Sequence, residues 1–178
     1  MGNACCSAGY TIKDGVATID ATKEKVDVSH KNVTSVTIKN LDIWSRICIR
    51  ELNLSGNLLT SLPEEIGCRD FLTVLDLSDN KLTSLPAEIG MLTGLEKLYL
   101  CGNQLTSLPV EISNLFDLEE LRLDGNPLTT PPMEVCKKGI NAIRAYFLEH
   151  QAELGITAIV EPSESEVRTA AAAAGLTV

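Results

Sequence analysis

Four stretches of this chain repeat at a spacing of 23 residues. They align without a gap: IRELNLSGNLL from Ile49, LTVLDLSDNKL from Leu72, LEKLYLCGNQL from Leu95 and LEELRLDGNPL from Leu118. A unit this short cannot enclose its own apolar side chains, so successive units have to stack and share one core. The repeat therefore predicts a stack of similar coils.

Each unit carries the pattern L-x-x-L-x-L-x-x-N-x-L, with Ile49 in place of the first leucine of its copy. This pattern is the leucine-rich-repeat signature. Leucines separated by one residue point to the same side of a strand. The sequence predicts an α/β leucine-rich-repeat solenoid, with short parallel strands on the concave face and extended or 3-10 turns on the convex face. Because only 4% of the residues are aromatic, its core must be aliphatic.

The sequence predicts five segments, of which the repeat is the third. Upstream, VDVSHKNVTSV keeps valines at the apolar positions but has Lys31 at the asparagine position, which is typical of a terminal unit. Downstream, Ile140, Ile143 and Phe147 have helical spacing. We expect an N-terminal anchor at 1–10, an N-terminal cap with a degenerate repeat at 11–48, four repeats at 49–138, a C-terminal capping helix at 139–154 and a flexible tail at 155–178.

One asparagine follows the predicted strand in each of the four repeats. These residues are Asn57, Asn80, Asn103 and Asn126. A side-chain amide can donate to and accept from the backbone of adjacent turns. We predict a structural role for all four, since a buried amide without such partners would be costly.

The consensus LTSLPxEIxxLxxLxxLxLxxNxL is similar to the repeats of the Ras-associated intracellular leucine-rich-repeat family. That family includes the Ras suppressor proteins, Ras-pathway scaffolds and a plant intracellular group. The resemblance covers residues 49 to 150 and includes GINAIRAYF, which looks like the segment that closes the arrays of that family. It implies an interaction scaffold rather than an enzyme, with small-GTPase-type signalling as its context.

Charge and composition argue against several classes of function. A net charge of −9 argues against nucleic-acid binding, because neutralising phosphates requires clustered Lys and Arg. The two histidines, His30 and His150, are not placed by the repeat beside a cysteine nucleophile or a metal-ligand cluster. No phosphate-binding glycine motif occurs. We expect no catalytic residue, no cofactor and no metal ion.

Residues between the inward leucines should project from the concave face. Stacking the units places one such residue from each of the five strands in a single column, and Lys97 lies in the column beside it. We predict that a protein partner binds these residues, centred on Tyr99 and Arg122, because Tyr and Arg are enriched in interface hot spots. The alternative is a solvated face without a partner. The full column is Asp27, Asn53, Asp76, Tyr99 and Arg122.

The N-terminal sequence MGNACCSAGY carries the predicted localisation signal. Gly2 suits N-myristoylation, although the pattern M-G-x-x-x-[ST] has Cys6 at its last position and Ser7 comes one residue late. One acyl chain gives only marginal membrane attachment. Palmitoylation of Cys5 and Cys6 would supply a second signal. The alternative is an N-terminus without modification.

No stretch of the sequence has the roughly 18 apolar residues of a membrane span, and no signal peptide is recognisable. We therefore expect an intracellular, monomeric, lipid-anchored adaptor. Its acyl chains would hold it at the cytoplasmic face of a membrane. The sequence does not distinguish the plasma membrane from the flagellar membrane. The alternative is a soluble regulatory or inhibitory subunit of an enzyme or cytoskeletal complex.

Overall fold

The computed structural model describes residues 9–19, 23–38, 49–69 and 71–155. The predicted anchor residues Gly2, Cys5 and Cys6 lie outside these ranges, as does the predicted tail beyond residue 155. The strands in the described ranges are β1 Tyr10–Lys13, β2 Val16–Ile19, β3 Lys25–Asp27, β4 Ser35–Ile38, β5 Glu51–Asn53, β6 Val74–Asp76, β7 Lys97–Tyr99 and β8 Glu120–Arg122.

Helical segments follow several of these strands. The 3-10 helices are Glu64–Cys68, Ala87–Met91 and Val110–Asn114. The α-helices are α1 Met133–Cys136, α2 Ile140–Glu149 and α3 Gln151–Leu154. No helix in the part of the chain that the structure describes has both the length and the apolar character needed to cross a membrane.

Five short strands form one parallel sheet in the order β3-β5-β6-β7-β8. The middle residue of each strand pairs with the middle residue of the next, so the aliphatic side chains form a continuous row in the core. This arrangement confirms the predicted stack of parallel strands, and it shows that the degenerate unit contributes the first of them. The row is Val26, Leu52, Leu75, Leu98 and Leu121.

A second, three-stranded sheet lies in the region predicted as the N-terminal cap. β1 and β2 form an antiparallel hairpin, and β2 pairs in parallel with β4. The hairpin turns at Asp14 and Gly15, whose φ angles are 52° and 77°. An Asp-Gly pair with two positive φ angles is the favoured connection in a two-residue hairpin. Ala17 and Ile19 of β2 are buried and belong to the same core as the repeats.

The repeated asparagines bind the backbone of neighbouring coils. Nδ2 of Asn103 donates to the carbonyl oxygens of Leu77 and Leu100 at 2.9 and 3.0 Å, and its Oδ1 accepts the N–H of Leu82 at 3.1 Å. Asn80 and Asn126 repeat this arrangement. Each amide therefore ties its own coil to the preceding one, which is the structural role predicted from the sequence.

The 3-10 helices stack closely at two glycines. A Cβ atom on Gly90 would lie 2.3 Å from the carbonyl oxygen of Glu111, and one on Gly67 would lie 2.7 Å from that of Glu88. Both distances are well inside van der Waals contact, so glycine sets the separation between these coils. In the third 3-10 helix, Ser113 takes the same position, and α2 packs against that helix instead of another coil.

Helix α2 is attached to the third 3-10 helix by one arginine. Arg144 donates to the carbonyl oxygens of Ser113 and Leu115 at 2.9 and 2.6 Å. Its guanidinium also lies 5.2 Å from the centre of the Phe116 ring, within cation–π range. Backbone carbonyls at the end of a short helix lack intrahelical partners, and Arg144 supplies the donors for two of them.

Candidate protein-interaction surface

Side chains that alternate with the buried row form the outer face of the five-stranded sheet, which we call the sheet face. Tyr99 pairs directly with Arg122, and Lys97 pairs directly with Glu120. The same pairing extends through the other strands. It places the six residues predicted for partner binding in two adjacent columns, with Lys97 in one and the rest in the other: Asp27, Asn53, Asp76, Tyr99 and Arg122.

Three of these residues also hold the turn that follows their strand. In Asp27, Asn53 and Asp76, Oδ1 accepts the backbone N–H of the serine two residues later, at 2.9, 3.0 and 2.9 Å. This is the Asx-turn arrangement. From the sequence these residues were predicted only to bind a partner, although the repeated [DN]-x-Ser spacing signals this role in the turn. Their replacement would disturb the backbone, which makes them poor probes of binding.

Tyr99 and Arg122 are joined by Glu120, which lies in the neighbouring column beside Lys97. The Tyr99 hydroxyl donates to Oε2 of Glu120 at 2.9 Å. Nε of Arg122 donates to Oε1 of the same carboxylate at 3.0 Å, and its Nη2 lies 2.9 Å from that oxygen. We call Tyr99, Glu120 and Arg122 the Tyr99 cluster. Glu120 was not named as a site residue because the columns give positions but not side-chain directions.

The shared carboxylate shifts the titration of all three groups. Hydrogen bonds from Tyr99 and then from Arg122 lower the pKa of Glu120, because both stabilise its ionised form. The same bonds raise the pKa of Tyr99 and of Arg122 above their usual values. At neutral pH the cluster therefore consists of a neutral phenol, a carboxylate and a guanidinium. Glu120 thereby positions both of its partners before any ligand arrives.

A shallow groove of about 320 Å³ occupies the sheet face on the other side of Tyr99. The side chain of Val74 lies in its lining between two acidic residues, Glu51 and Asp76. The ammonium of Lys25 pairs with the carboxylate of Glu51. The groove is small compared with a standard protein interface, so it could seat only one or two side chains of a partner.

Two further observations concern metal-ligating and nucleophilic side chains in the described residues. Within ranges 9–19, 23–38, 49–69 and 71–155, no group of three or more His, Cys, Asp or Glu is placed to hold a metal ion. Burial raises the pKa of the Cys136 thiol, which keeps this cysteine protonated and weakly nucleophilic. The sheet face carries hydrogen-bonding groups and the aromatic ring of Tyr99.

Comparison with known proteins identifies the repeat. The family profile described as a leucine-rich repeat region matches residues 27–136, which is more than half of the chain. This chain belongs to the leucine-rich-repeat family. The match begins within β3 and ends at the last residue of α1, so it includes the first, degenerate coil. Leucine-rich-repeat regions are typically interaction domains without catalysis, and protein–protein interaction is the general function that this membership supports.

Solved structures of other leucine-rich-repeat proteins are similar over part of their length. A protein from Leptospira interrogans is 43% identical, with 58% of this chain and 27% of that chain covered and a TM-score of 0.49. The BIR2 ectodomain from Arabidopsis thaliana is 32% identical, with 45% and 44% covered and a TM-score of 0.42. The BIR3–SERK2 complex from the same plant gives 30% identity, with 64% and 52% covered and a TM-score of 0.41.

The chain thus spans between about a quarter and about half of the length of these three structures. A search of curated proteins found no match.

Proposed function

We propose that this protein is a lipid-anchored adaptor that binds a protein partner through its sheet face at the cytoplasmic surface of a membrane. The observation that carries the binding part is the Tyr99 cluster, an aromatic and an arginine side chain held together by one carboxylate on the sheet face. Preorganised side chains lose little conformational entropy when a partner docks. Tyr and Arg in this state are typical of interface hot spots.

Alanine at both Tyr99 and Arg122 tests the binding surface. We expect the double variant to bind its partner at least about tenfold more weakly, since one lost hot spot is worth more than about 1.4 kcal/mol. Partners recovered with the unmodified protein would be purified, and their affinity for both forms measured by calorimetry. The matched control is a double variant on the exposed 3-10 helices, Glu64→Ala with Met91→Ala.

That control should bind as tightly as the unmodified protein. Equal affinity for the Tyr99→Ala/Arg122→Ala variant would remove the sheet face from the proposal. A weakening in both double variants would indicate a general loss of folding instead, and thermal unfolding of each variant separates these cases.

The anchor belongs to the same proposal and rests on the N-terminal sequence. Gly2 would carry a myristoyl chain, and Cys5 and Cys6 would carry palmitoyl chains. Two acyl signals are needed because the chain has a net charge of −9 and gains nothing from anionic lipids.

Gly2→Ala should move the protein from the membrane to the soluble fraction, because myristoylation requires an N-terminal glycine. Cell fractionation measures the shift, and metabolic labelling with acyl analogues identifies the modified residues. Asn3→Ala is the matched control and should leave the distribution unchanged. An equally membrane-bound Gly2→Ala protein, or Cys5 and Cys6 without label, would contradict the anchor.

We also propose that the partner acts in small-GTPase-type signalling. This part of the proposal rests on the resemblance of the repeat consensus to the Ras-associated intracellular leucine-rich-repeat family. The second candidate is a soluble regulatory or inhibitory subunit, favoured by the high negative charge, which keeps an unmodified chain off anionic membranes. Partner binding that is unchanged in a fully soluble Gly2→Ala protein, with no acyl label on the unmodified chain, would select this candidate.

A further inference from the structure

The groove on the sheet face is lined by residues of four strands, β3, β5, β6 and β7. Its lining contains three carboxylates and one ammonium, which gives the groove a net charge of −2 at neutral pH. The ammonium belongs to Lys25 and is already paired with Glu51. The carboxylates of Asp27 and Asp76 form no ion pair with any residue that the structure describes. The uncompensated charge in the groove is therefore negative.

The border of the sheet face adds to this negative charge. The residues that precede the five strands stack through backbone hydrogen bonds of 2.7 to 2.9 Å. The charged ones among them are exposed and comprise three glutamates and one arginine: Glu24, Glu96, Glu119 and Arg50. Two lysines outside the lining interact with carboxylates of the face, Lys31 with Asp27 and Lys97 with Glu120. With both lysines counted, carboxylates remain in excess across the groove and its border.

Val74 and Tyr99 give the same groove an apolar part. Both side chains are half-buried in its lining. The Tyr99 hydroxyl is held by Glu120 at 2.9 Å, so the ring is fixed in place. The methylene stem of a lysine or arginine packs on apolar side chains while its charged head reaches polar groups, and a cation near a tyrosine ring gains cation–π attraction. An anionic or purely aliphatic side chain would match only part of this lining.

We propose that this groove binds a basic segment of the protein partner, with the stem of one arginine on Val74 and Tyr99 and its guanidinium beside Asp76. A second basic side chain would reach Asp27, which lies two strands away in the same column, roughly 10 Å at the usual strand spacing. Complementary charge of this kind contributes specificity and association rate. The inference rests on the proposed function, because it names the chemistry of the partner that the sheet face binds.

Asparagine at positions 27 and 76 removes both unpaired carboxylates and keeps the turns. At the equivalent position, Oδ1 of Asn53 accepts the N–H of Ser55 at 3.0 Å, so an asparagine amide holds this turn as an aspartate does. Asp27→Asn/Asp76→Asn changes the net charge of the groove lining from −2 to zero. The matched control, Glu64→Gln/Glu65→Gln, removes the same total charge from the exposed start of the first 3-10 helix.

A short arginine peptide tests the occupant on the full-length protein. The probe is acetylated and amidated GRARG, and its counterpart has citrulline, the uncharged isostere, at both arginine positions. NMR titration of the Val74 methyl signals measures affinity and locates the site. The arginine peptide should bind at least about fivefold more tightly than its counterpart, and Asp27→Asn/Asp76→Asn should remove that advantage, whereas the control variant should change it less than about twofold. Added salt should weaken the arginine peptide only where the carboxylates are present.

The purified partner separates this inference from the sheet-face function. Asp27→Asn/Asp76→Asn should weaken partner binding at least about fivefold, and the glutamine control should not. If Tyr99→Ala/Arg122→Ala weakens the partner but the asparagine variant binds it as tightly as the unmodified protein, the sheet face stands and the basic occupant is wrong. If neither double variant changes the partner's affinity, both proposals fail.

Three peptide results would also overturn the inference. No binding of the arginine peptide, or equal affinity for the arginine and citrulline peptides, would contradict a basic occupant. Tighter peptide binding by an Arg168→Ala protein would assign the groove to the C-terminal segment of this chain. A homodimer that the peptide dissociates would assign it to a second copy of the chain.

Discussion

Replacing Asn103 with alanine is expected to destabilise the protein by about 1–3 kcal/mol, the cost of one buried group left without its partner. The Asn103 side chain is 5% exposed and serves three backbone groups. Alanine would leave the N–H of Leu82 without its acceptor. The carbonyl oxygens of Leu77 and Leu100 would each lose one donor and keep another, from the amides of Asn80 and Asn126.

Urea unfolding followed by circular dichroism measures this loss. Gln104→Ala is the matched control, because residue 104 is exposed and adjacent, and its replacement should change the free energy of unfolding by less than about 0.5 kcal/mol. Asn126→Ala should lie between the two, because Asn126 makes similar bonds but is only half-buried. A cost for Asn103→Ala no greater than that of its control would refute the structural role assigned to these asparagines.

The positions that recur every 23 residues, the core leucines and the asparagines, were predicted correctly from the sequence alone. A period of 23 and alternating leucines require that equivalent residues stack, so the neighbours of Leu98 in the core row could be named in advance. The asparagine contacts followed for the same reason, because a buried amide at a fixed position of every coil has only backbone to bind. Stacking is a property of the repeat rather than of any single residue.

Features that depart from the repeat were the ones that sequence did not resolve. The β1–β2 hairpin was included in a general cap, although Asp14-Gly15 between alternating residues is a hairpin signal. Glu120 was missed as the link between Tyr99 and Arg122, because pairing across strands does not determine which way a side chain turns. The incomplete burial of Leu121 in the last strand could not be predicted from the sequence either, since it depends on where α1 and α2 pack.

Replacing Gly90 with alanine is expected to cost about 2–3 kcal/mol, near the upper end for overpacking. The added Cβ would lie 2.3 Å from the carbonyl oxygen of Glu111 and 2.8 Å from its carbonyl carbon. Both are backbone atoms of the next coil, so no side-chain rotation can relieve the contact. The two coils would have to separate, which would also stretch the asparagine hydrogen bonds between them.

Met91→Ala is the matched control for Gly90→Ala, because Met91 lies in the same 3-10 helix and is 58% exposed. It should change stability by less than about 0.5 kcal/mol. If the cost at Gly90 arises from separation of the coils, then Gly90→Ala combined with Asn103→Ala should destabilise by less than the sum of the two single changes. Amide exchange at Leu82, whose N–H is bound by Asn103 across the same two coils, would show the separation directly. Full additivity, with unchanged exchange, would mean that the glycine affects only its own helix.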